Sequence, residues 1–574
     1  MFDTSRARVL LRSCIASIIG LLVAGTLTAS GQQGLAEQRG FSLQDGTVQL
    51  VLDGDSLDWA TMTQVLQADS VRISLADEAR QQMTETRTGA LSLLRSGKRV
   101  YGWNQALGPL KDKPLTIGQQ RDFQRRVLLS HAAGTGPTLS PGVARLALVL
   151  RVNSMARGAM GVRPELADRI LSLVNAGITP DMPEIGSTGI GDLQPMAAAG
   201  LTMVGQDNPA MLRGERMRPE QALRQAGLAS TFQLESGEAL PLISGNSVVT
   251  AKLVRATVRA QRSLAGFDGA FALFLEATRA EQGAFDPRTH AERGIPNENA
   301  AAKRTRALIC GTQWMTEKGR RQAGESAPRV QDAVSVRGAS HVLGALRDTI
   351  AETKGVAKRE ANASTSNPLV FEKDNGHYEF VMGGNWNGAK LGQSADRLNA
   401  QLVDLGGLSE QLSGRLLDEG WSYGLPASLA GGTPGLNTGL AMTHPVAAAL
   451  VSEMQVVATP AGTLSRPTMG GQEDDTSMAM TSVRNLTANL DRLQTIIGIQ
   501  LILGAQGMDL IKSKMGELEP GKGSAAVLRL VRERISPVSD DRYLTPDVDK
   551  ATELAGDRRL SDTVISAATR GCGD

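Results

Sequence analysis

Leu486-Thr487-Ala488-Asn489-Leu490-Asp491-Arg492-Leu493-Gln494-Thr495-Ile496-Ile497-Gly498-Ile499-Gln500-Leu501-Ile502-Leu503 changes character half-way along. Leu486, Leu490, Leu493 and Ile497 keep the three- and four-residue spacing of one helix face, and from Ile496 onward the run is apolar nearly all round. Such a helix lies inside a large core or an oligomer, not on a surface. Upstream, Val143, Leu146, Ala147 and Leu150 repeat the same spacing. Strand signals are few: the alternation from Gly46 to Val51 and the short run His377 to Val381. Glycine-rich turns separate the helical stretches at 186–192 (GSTGIGD), 383–388 (GGNWNG) and 431–439 (GGTPGLNTG). No fixed-period repeat is present. The pattern predicts an all-α chain.

Composition narrows the function classes. The 574 residues carry Lys+Arg 61 against Asp+Glu 59, a formal charge of +2. That balance offers no basic face for nucleic acid, and 3% aromatics provide no stacking platform for single strands. The cysteines are Cys14, Cys310 and Cys572, with no CxxC and no Cys/His cluster, so a structural zinc site is not expected. His290, His341 and His377 have no metal-ligand spacing either.

The first residues read as a leader. Arg6, Arg8 and Arg12 precede an apolar run from Ser13 to Thr28, followed by Ala29-Ser30-Gly31, the order of a secretory signal. Export to the periplasm is the expectation; an uncleaved anchor, or a cytoplasmic protein with a misassigned start, is the alternative. The apolar run is shorter than the roughly 20 residues a spanning helix needs. Further on, the longest candidate is read as Ile496 to Leu503, too short to cross a membrane.

The loop Pro183-Glu184-Ile185-Gly186-Ser187-Thr188-Gly189-Ile190-Gly191-Asp192-Leu193 is dense in glycine, as a phosphate cradle or a tight active-site bend would be. It matches neither the GxGxxG nor the Walker spacing, and alone it reads as a plain turn between helices. Its neighbours, taken in order, say more. Val100-Tyr101-Gly102-Trp103-Asn104 is followed by Leu128-Leu129-Ser130-His131-Ala132-Ala133-Gly134, by Arg157-Gly158-Ala159-Met160-Gly161-Val162-Arg163-Pro164-Glu165-Leu166 and by Leu173-Val174-Asn175-Ala176-Gly177. Downstream come Gln331-Asp332-Ala333-Val334-Ser335-Val336-Arg337, Ser366-Asn367-Pro368-Leu369-Val370-Phe371, Gly383-Gly384-Asn385-Trp386, Gly435-Leu436-Asn437-Thr438-Gly439 and Gln472-Glu473-Asp474.

This ordered set resembles the histidine/phenylalanine ammonia-lyase family, from roughly Val100 to Asp509. The resemblance implies an all-α, long-helix bundle of the fumarase/aspartase-like type, a homotetramer with active sites built from loops of three subunits. With the leader at 1–31, the expected division is a domain with active-site loops at 32–245, the helix bundle at 246–510 and a helical tail at 511–574. The family eliminates an amine from an amino acid to leave an α,β-unsaturated acid. It uses a methylidene-imidazolone electrophile made from an internal Ala-Ser-Gly within GSxGASGDL.

Here this chain departs from the family. The stretch reads Gly186-Ser187-Thr188-Gly189-Ile190-Gly191-Asp192-Leu193, one residue short, with Ile190-Gly191 where Ala-Ser-Gly is expected. Without that serine the electrophile cannot form, so no such cofactor is expected on the loop Gly189, Ile190, Gly191. The family's Asn-Gly-Thr reads Ser244-Gly245-Asn246, and the tyrosine of its Tyr-Ser-x-Arg block is Val334.

The remaining groups still suit proton transfer and anion binding. Tyr101 matches the family's base on the β-carbon; an ordinary phenol titrates near 10, so it needs local help near neutrality. Outside that context it would read as a half-buried ring. Arg337 matches the arginine that grips the substrate carboxylate, a task for a bidentate guanidinium. Glu473 matches a carboxylate facing the amino group, with Gln472 beside it; otherwise the two are exposed polar residues at a helix start. His131 matches the histidine that faces the substrate ring, its alternative being a structural imidazole. Asn385 and Trp386 stand where the family lines its pocket, while His444 and Lys390 lie near pocket segments without an assigned role.

Losing the electrophile favours a substrate whose leaving group needs no activation. A trimethylammonium betaine such as ergothioneine qualifies, and family members that act on it are known to work without the prosthetic group. Its cation would rest on Trp386 or Trp103, since aromatic faces attract quaternary ammonium. The other readings are an exported, non-catalytic relative that binds a small amino-acid-like ligand, and a mutase using the same base.

Overall fold

The computed structural model describes residues 41–570 apart from 45, 326–328 and 434. The leader at 1–31 lies outside them. Near the start, β1 (Phe41–Gln44) pairs antiparallel with β2 (Thr47–Leu52), which pairs parallel with β3 (Ser70–Leu75) after the crossover helix α1 (Trp59–Gln67). The alternation expected from Gly46 to Val51 is realised in β2, where Val48, Leu50 and Leu52 face the core. Helices α2 (Ile117–His131), α3 (Pro141–Ala156), α4 (Leu193–Val204), α5 (Ser247–Thr278) and α6 (Ala339–Ala361) follow. The hairpin β4 (Leu369–Glu372) and β5 (Tyr378–Val381), in register Tyr378↔Glu372, matches the second strand expectation. Then come α7 (Ala389–Leu417), α8 (Thr443–Val457), α9 (Ala479–Met515), α10 (Lys522–Arg532), α11 (Thr545–Ala555) and α12 (Arg558–Arg570).

The two-faced stretch that opened the sequence reading is the middle of α9. At 37 residues this helix is about 55 Å long, and it packs between α5 and α7 with α11 across it. Leu486, Leu490, Leu493, Ile496, Ile497, Ile499, Leu501 and Leu503 are all fully buried. Burial on every side leaves few polar positions, and two of them bond across helices. Gln500 Oε1 accepts from Ser409 Oγ of α7 (2.6 Å), and Asn489 Nδ2 donates to Asn399 Oδ1 (2.8 Å). One expectation needs correction here. The apolar run was read as too short to cross a membrane, but the helix Ala479–Met515 is long and apolar enough to do so. Four-fifths of its most apolar window is buried within the bundle, which is the setting of a core helix.

Two buried carboxylates tie α5 at its ends. Asp192 Oδ2 accepts from Val248 and Val249 N–H (2.7 and 3.1 Å) at the first turn, where an anion complements the helix dipole. Glu276, in the last turn, accepts from Gly521 N–H, Ser524 Oγ and Thr312 Oγ1 (2.8, 2.9 and 2.7 Å), joining α5 to α10. Burial outweighs these donors and pushes each carboxyl up to about 7. A raised folded-state value means the folded protein binds the proton more tightly than the unfolded chain. This stabilisation is complete below the ordinary carboxylate range and is lost as pH rises through about 7. The melting temperature is therefore expected to fall more steeply between about pH 4.5 and about pH 7 in the wild type than in an Asp192→Asn/Glu276→Gln double variant. Equal slopes in scanning calorimetry would remove these two groups as the cause.

Cys310, at the end of the helix Pro296–Leu308, is disulfide-bonded, and its partner lies outside the described residues. No such bridge was anticipated from the cysteine spacing.

Candidate active site

Four connecting segments meet above the N-terminal ends of α4, α5, α7 and α9. They are the loop 98–116 before α2, the bend 186–192 before α4, the turn 382–388 before α7 and the turn 466–478 before α9. Their contacts are backbone-made. Gly388 N–H donates to Gly189 O (2.8 Å), Met478 N–H donates to Thr188 O (2.7 Å), and Ile190 bridges to Asn387. Gly189 sits at the centre with φ 83°, and a β-carbon there would lie 2.3 Å from Ser477 Oγ and 2.5 Å from Ala479 N. No other residue fits that position.

Between these segments lies a cavity of about 430 Å³, within the size range of small-molecule sites. Tyr101, His131, Ile190, Trp386, Gln472 and Glu473 all line it. Leu193 and Leu240 extend the apolar wall of Ile190, and Ser244 adds a hydroxyl. Sequence reasoning missed Arg99, Lys111, Met382 and Met469, which also face it. Arg99 and Lys111 flank Tyr101 on its own loop, so a search for cations within ten residues of the tyrosine would have found them.

The Tyr101 phenol is half-buried, and Gly108 N–H donates to its Oη (3.0 Å). Burial pushes it above the usual tyrosine range; the Gly108 donor opposes that rise, while the charge of Glu473 adds to it. Burial also raises Glu473 above the ordinary carboxylate range, against the Thr468 hydroxyl that donates to its Oε2 (3.0 Å). His131 closes the last turn of α2, and its Nδ1 lies 2.9 Å from Val127 O. A carbonyl can only accept, so Nδ1 carries the proton. Burial holds the ring below its usual titration range, so the imidazole is neutral with Nε2 as an acceptor.

Other expected residues lie elsewhere. Trp386 faces the cavity, but its neighbours Asn385 and Asn387 line a second space of about 830 Å³ beside Glu360 and Ser364. Asn385 and Trp386 are the two central residues of a turn closed by Asn387 N–H donating to Gly384 O (2.9 Å), and their side chains leave it toward different spaces. Arg337, the last residue of the helix Val334–Arg337, is exposed and is not in the cavity of its own chain. Trp103 is corrected as a cation platform: it is 1% exposed, edge-on to Phe380 (5.1 Å) and under Arg87 (5.0 Å). His444 Nε2 lies 2.6 Å from Glu410, away from the cavity, and Lys390 is exposed at the start of α7. Among the described residues, no group of three or more His, Cys, Asp or Glu side chains is placed to hold a metal.

Comparison with known proteins identifies the family of the fold. The family model for aromatic amino acid lyases matches residues 57–533. The chain belongs to the aromatic amino acid lyase family. As a member of that family it is 34% identical to a histidine ammonia-lyase of Idiomarina loihiensis over 528 residues, covering 91% of this chain and 98% of that relative. The crystal structure of histidine ammonia-lyase from Trypanosoma cruzi superposes with a TM-score of 0.79 at 31% identity, covering 90% of this chain and 95% of that one. Ergothionase from Treponema denticola, an ergothioneine-degrading enzyme, reaches a TM-score of 0.83 at 23% identity, covering 89% and 99%. At that identity the likeness is one of fold. The helical-bundle architecture read from the sequence is thus that of the lyases and aminomutases.

Proposed function

We propose that this lyase-family chain eliminates an amine from an aromatic or heteroaromatic amino acid or betaine, and does so without a methylidene-imidazolone. The observation that carries the reading is the composition of the cavity: the groups for proton transfer and cation binding are together, and Ile190 stands where the electrophile would be made. The residues of the bend do not fit that group. Gly189-Ile190-Gly191 has no hydroxyl to dehydrate. Ser187, the serine of the same bend, is engaged with Gly191 O (3.1 Å), Asp192 Oδ1 (3.2 Å) and Gly189 N–H (3.2 Å).

A substrate with a quaternary ammonium leaving group needs no such activation. Tyr101 Oη takes the proton from the β-carbon, the C–H electrons form the double bond, and the C–N pair leaves with neutral trimethylamine. Glu473 and the Trp386 face select the cation. Binding it also places a positive charge beside Glu473, offsetting the field that raises the Tyr101 phenol and making the phenolate easier to form. The neutral His131 Nε2 accepts from a ring N–H.

Arg337 holds the carboxylate from a second copy of the chain. The surface supports such an assembly: α8 is apolar yet leaves Val446 and Val456 exposed, at 44% and 76%, with Met442 beside its start at 71%. Export to the periplasm completes the reading, because the Cys310 disulfide persists in an oxidising compartment.

An ultraviolet assay offering histidine, phenylalanine, tyrosine and ergothioneine separately tests this function. New absorbance from ergothioneine alone is the expected result. Ammonia from an ordinary amino acid would overturn the cofactor-free reading. Silence with all four would favour the non-catalytic binding protein.

A further inference from the structure

The turn that carries Glu473 is closed on itself. Thr468 N–H donates to Glu473 O (2.7 Å), and Glu473 N–H returns to Thr468 O (3.3 Å). Inside it Met469, Gly470 and Gly471 all have positive φ, at 53°, 62° and 84°. Glycine takes such angles freely, but a methionine does so only where its surroundings hold it there. The Met469 side chain so presented reaches the opposite side of the cavity mouth, the loop that carries Tyr101. Its methyl carbon sits 2.6 Å from where a β-carbon on Gly108 would be, so the thioether lies directly against the bare Gly108 peptide. The next pair repeats the approach, with a β-carbon on Gly470 falling 3.5 Å from Pro109 Cγ. The short helical turns Gly108–Leu110 and Met469–Gly471 therefore pack together.

Each side of this contact holds one functional group. Gly108 is the residue whose N–H donates to Tyr101 Oη. On the other side, Thr468, next to Met469, donates its hydroxyl to the Glu473 carboxylate.

We propose that Met469 is a positioning residue, a latch joining the Tyr101 loop to the Glu473 turn so that phenol and carboxylate are set as one unit. The flexible thioether suits the task, because an apolar side chain of this length fills the gap over a glycine peptide. The proposal rests on the roles given above to Tyr101 and Glu473, but the contact can be tested without any substrate.

Met469→Gly removes the side chain at a position where glycine is unstrained, so the variant is expected to fold. Met469→Leu keeps the apolar volume. Hydrogen exchange, read by mass spectrometry on peptides covering 100–115, is expected to be faster in the glycine variant and near wild type in the leucine variant. With ergothioneine, kcat of the glycine variant is expected to fall roughly ten- to a hundred-fold, the scale of a small misplacement of reacting groups, with little change in KM and recovery in the leucine variant. Unchanged exchange in Met469→Gly, or equally fast exchange in Met469→Leu, overturns the latch. If the wild type turns over none of the four compounds, the functional reading has failed, and exchange alone still decides the latch.

Discussion

Tyr101→Phe is expected to lower turnover by about two to four orders of magnitude, the range for losing a general base, while the assembled protein keeps its melting temperature within a few degrees. The ring volume is retained, and the one interaction lost within the fold is the Gly108 N–H bond to Oη. A single neutral hydrogen bond contributes about 1 kcal/mol, small against the stability of a chain this size. Turnover that survives the substitution would remove Tyr101 as the base. The pH dependence gives an independent check. Burial and Glu473 both raise the phenol, so the rising limb of kcat/KM lies on the alkaline side in the wild type. Removing the carboxylate charge in Glu473→Gln takes away one of the two raising causes, and the limb is expected to move to lower pH. A shift to higher pH, or none, would contradict the coupling of these two groups across the cavity.

The degree to which the sequence foretold this arrangement follows from how local each signal is. The core helix was legible because the spacing of Leu486, Leu490, Leu493 and Ile497 and the burial of Ile496 to Leu503 are properties of one continuous segment. Tyr101, His131, Gln472 and Glu473 were legible as blocks of residues, and the fold brings them to one cavity. What escaped depends on contacts between distant segments. Trp103 was a candidate platform for a quaternary ammonium because its ring is aromatic. Its burial is set by Phe380 and Arg87, which no local pattern announces. Asn385 was placed with Trp386 because the family's pocket block has both, and the turn that carries them sends the two side chains to different spaces. Asp192 reads as the end of a glycine loop; that it caps α5 in complete burial is visible only once Val248 and Val249 are beside it. Met469 carries no warning in its type, since Pro467-Thr468-Met469-Gly470 says nothing of a left-handed methionine seated on Gly108.

Arg337→Met is expected to cost substrate affinity about 2 kcal/mol or more, roughly thirty-fold, the scale for truncating one partner of a buried, hydrogen-bonded charge pair. Yet within one chain Arg337 does not line the cavity of Tyr101 and Glu473: it ends the helix Val334–Arg337 on the surface, with Val334 67% exposed beside it. An exposed valine next to a cation of this importance is what an unassembled interface leaves uncovered. If a second copy delivers the guanidinium, the two defects sit in different chains of each active site. Co-expression of Tyr101→Phe with Arg337→Met chains, carrying different tags, is then expected to restore activity that neither variant has alone. Some sites of the mixed assembly receive an intact tyrosine from one copy and an intact arginine from another. Mixed oligomers captured through both tags but no more active than the parents would show that Arg337 does not complete a neighbour's site. Recovery would fix the assembly as part of the chemistry, because a carboxylate anchored by one copy is then presented to the base of another.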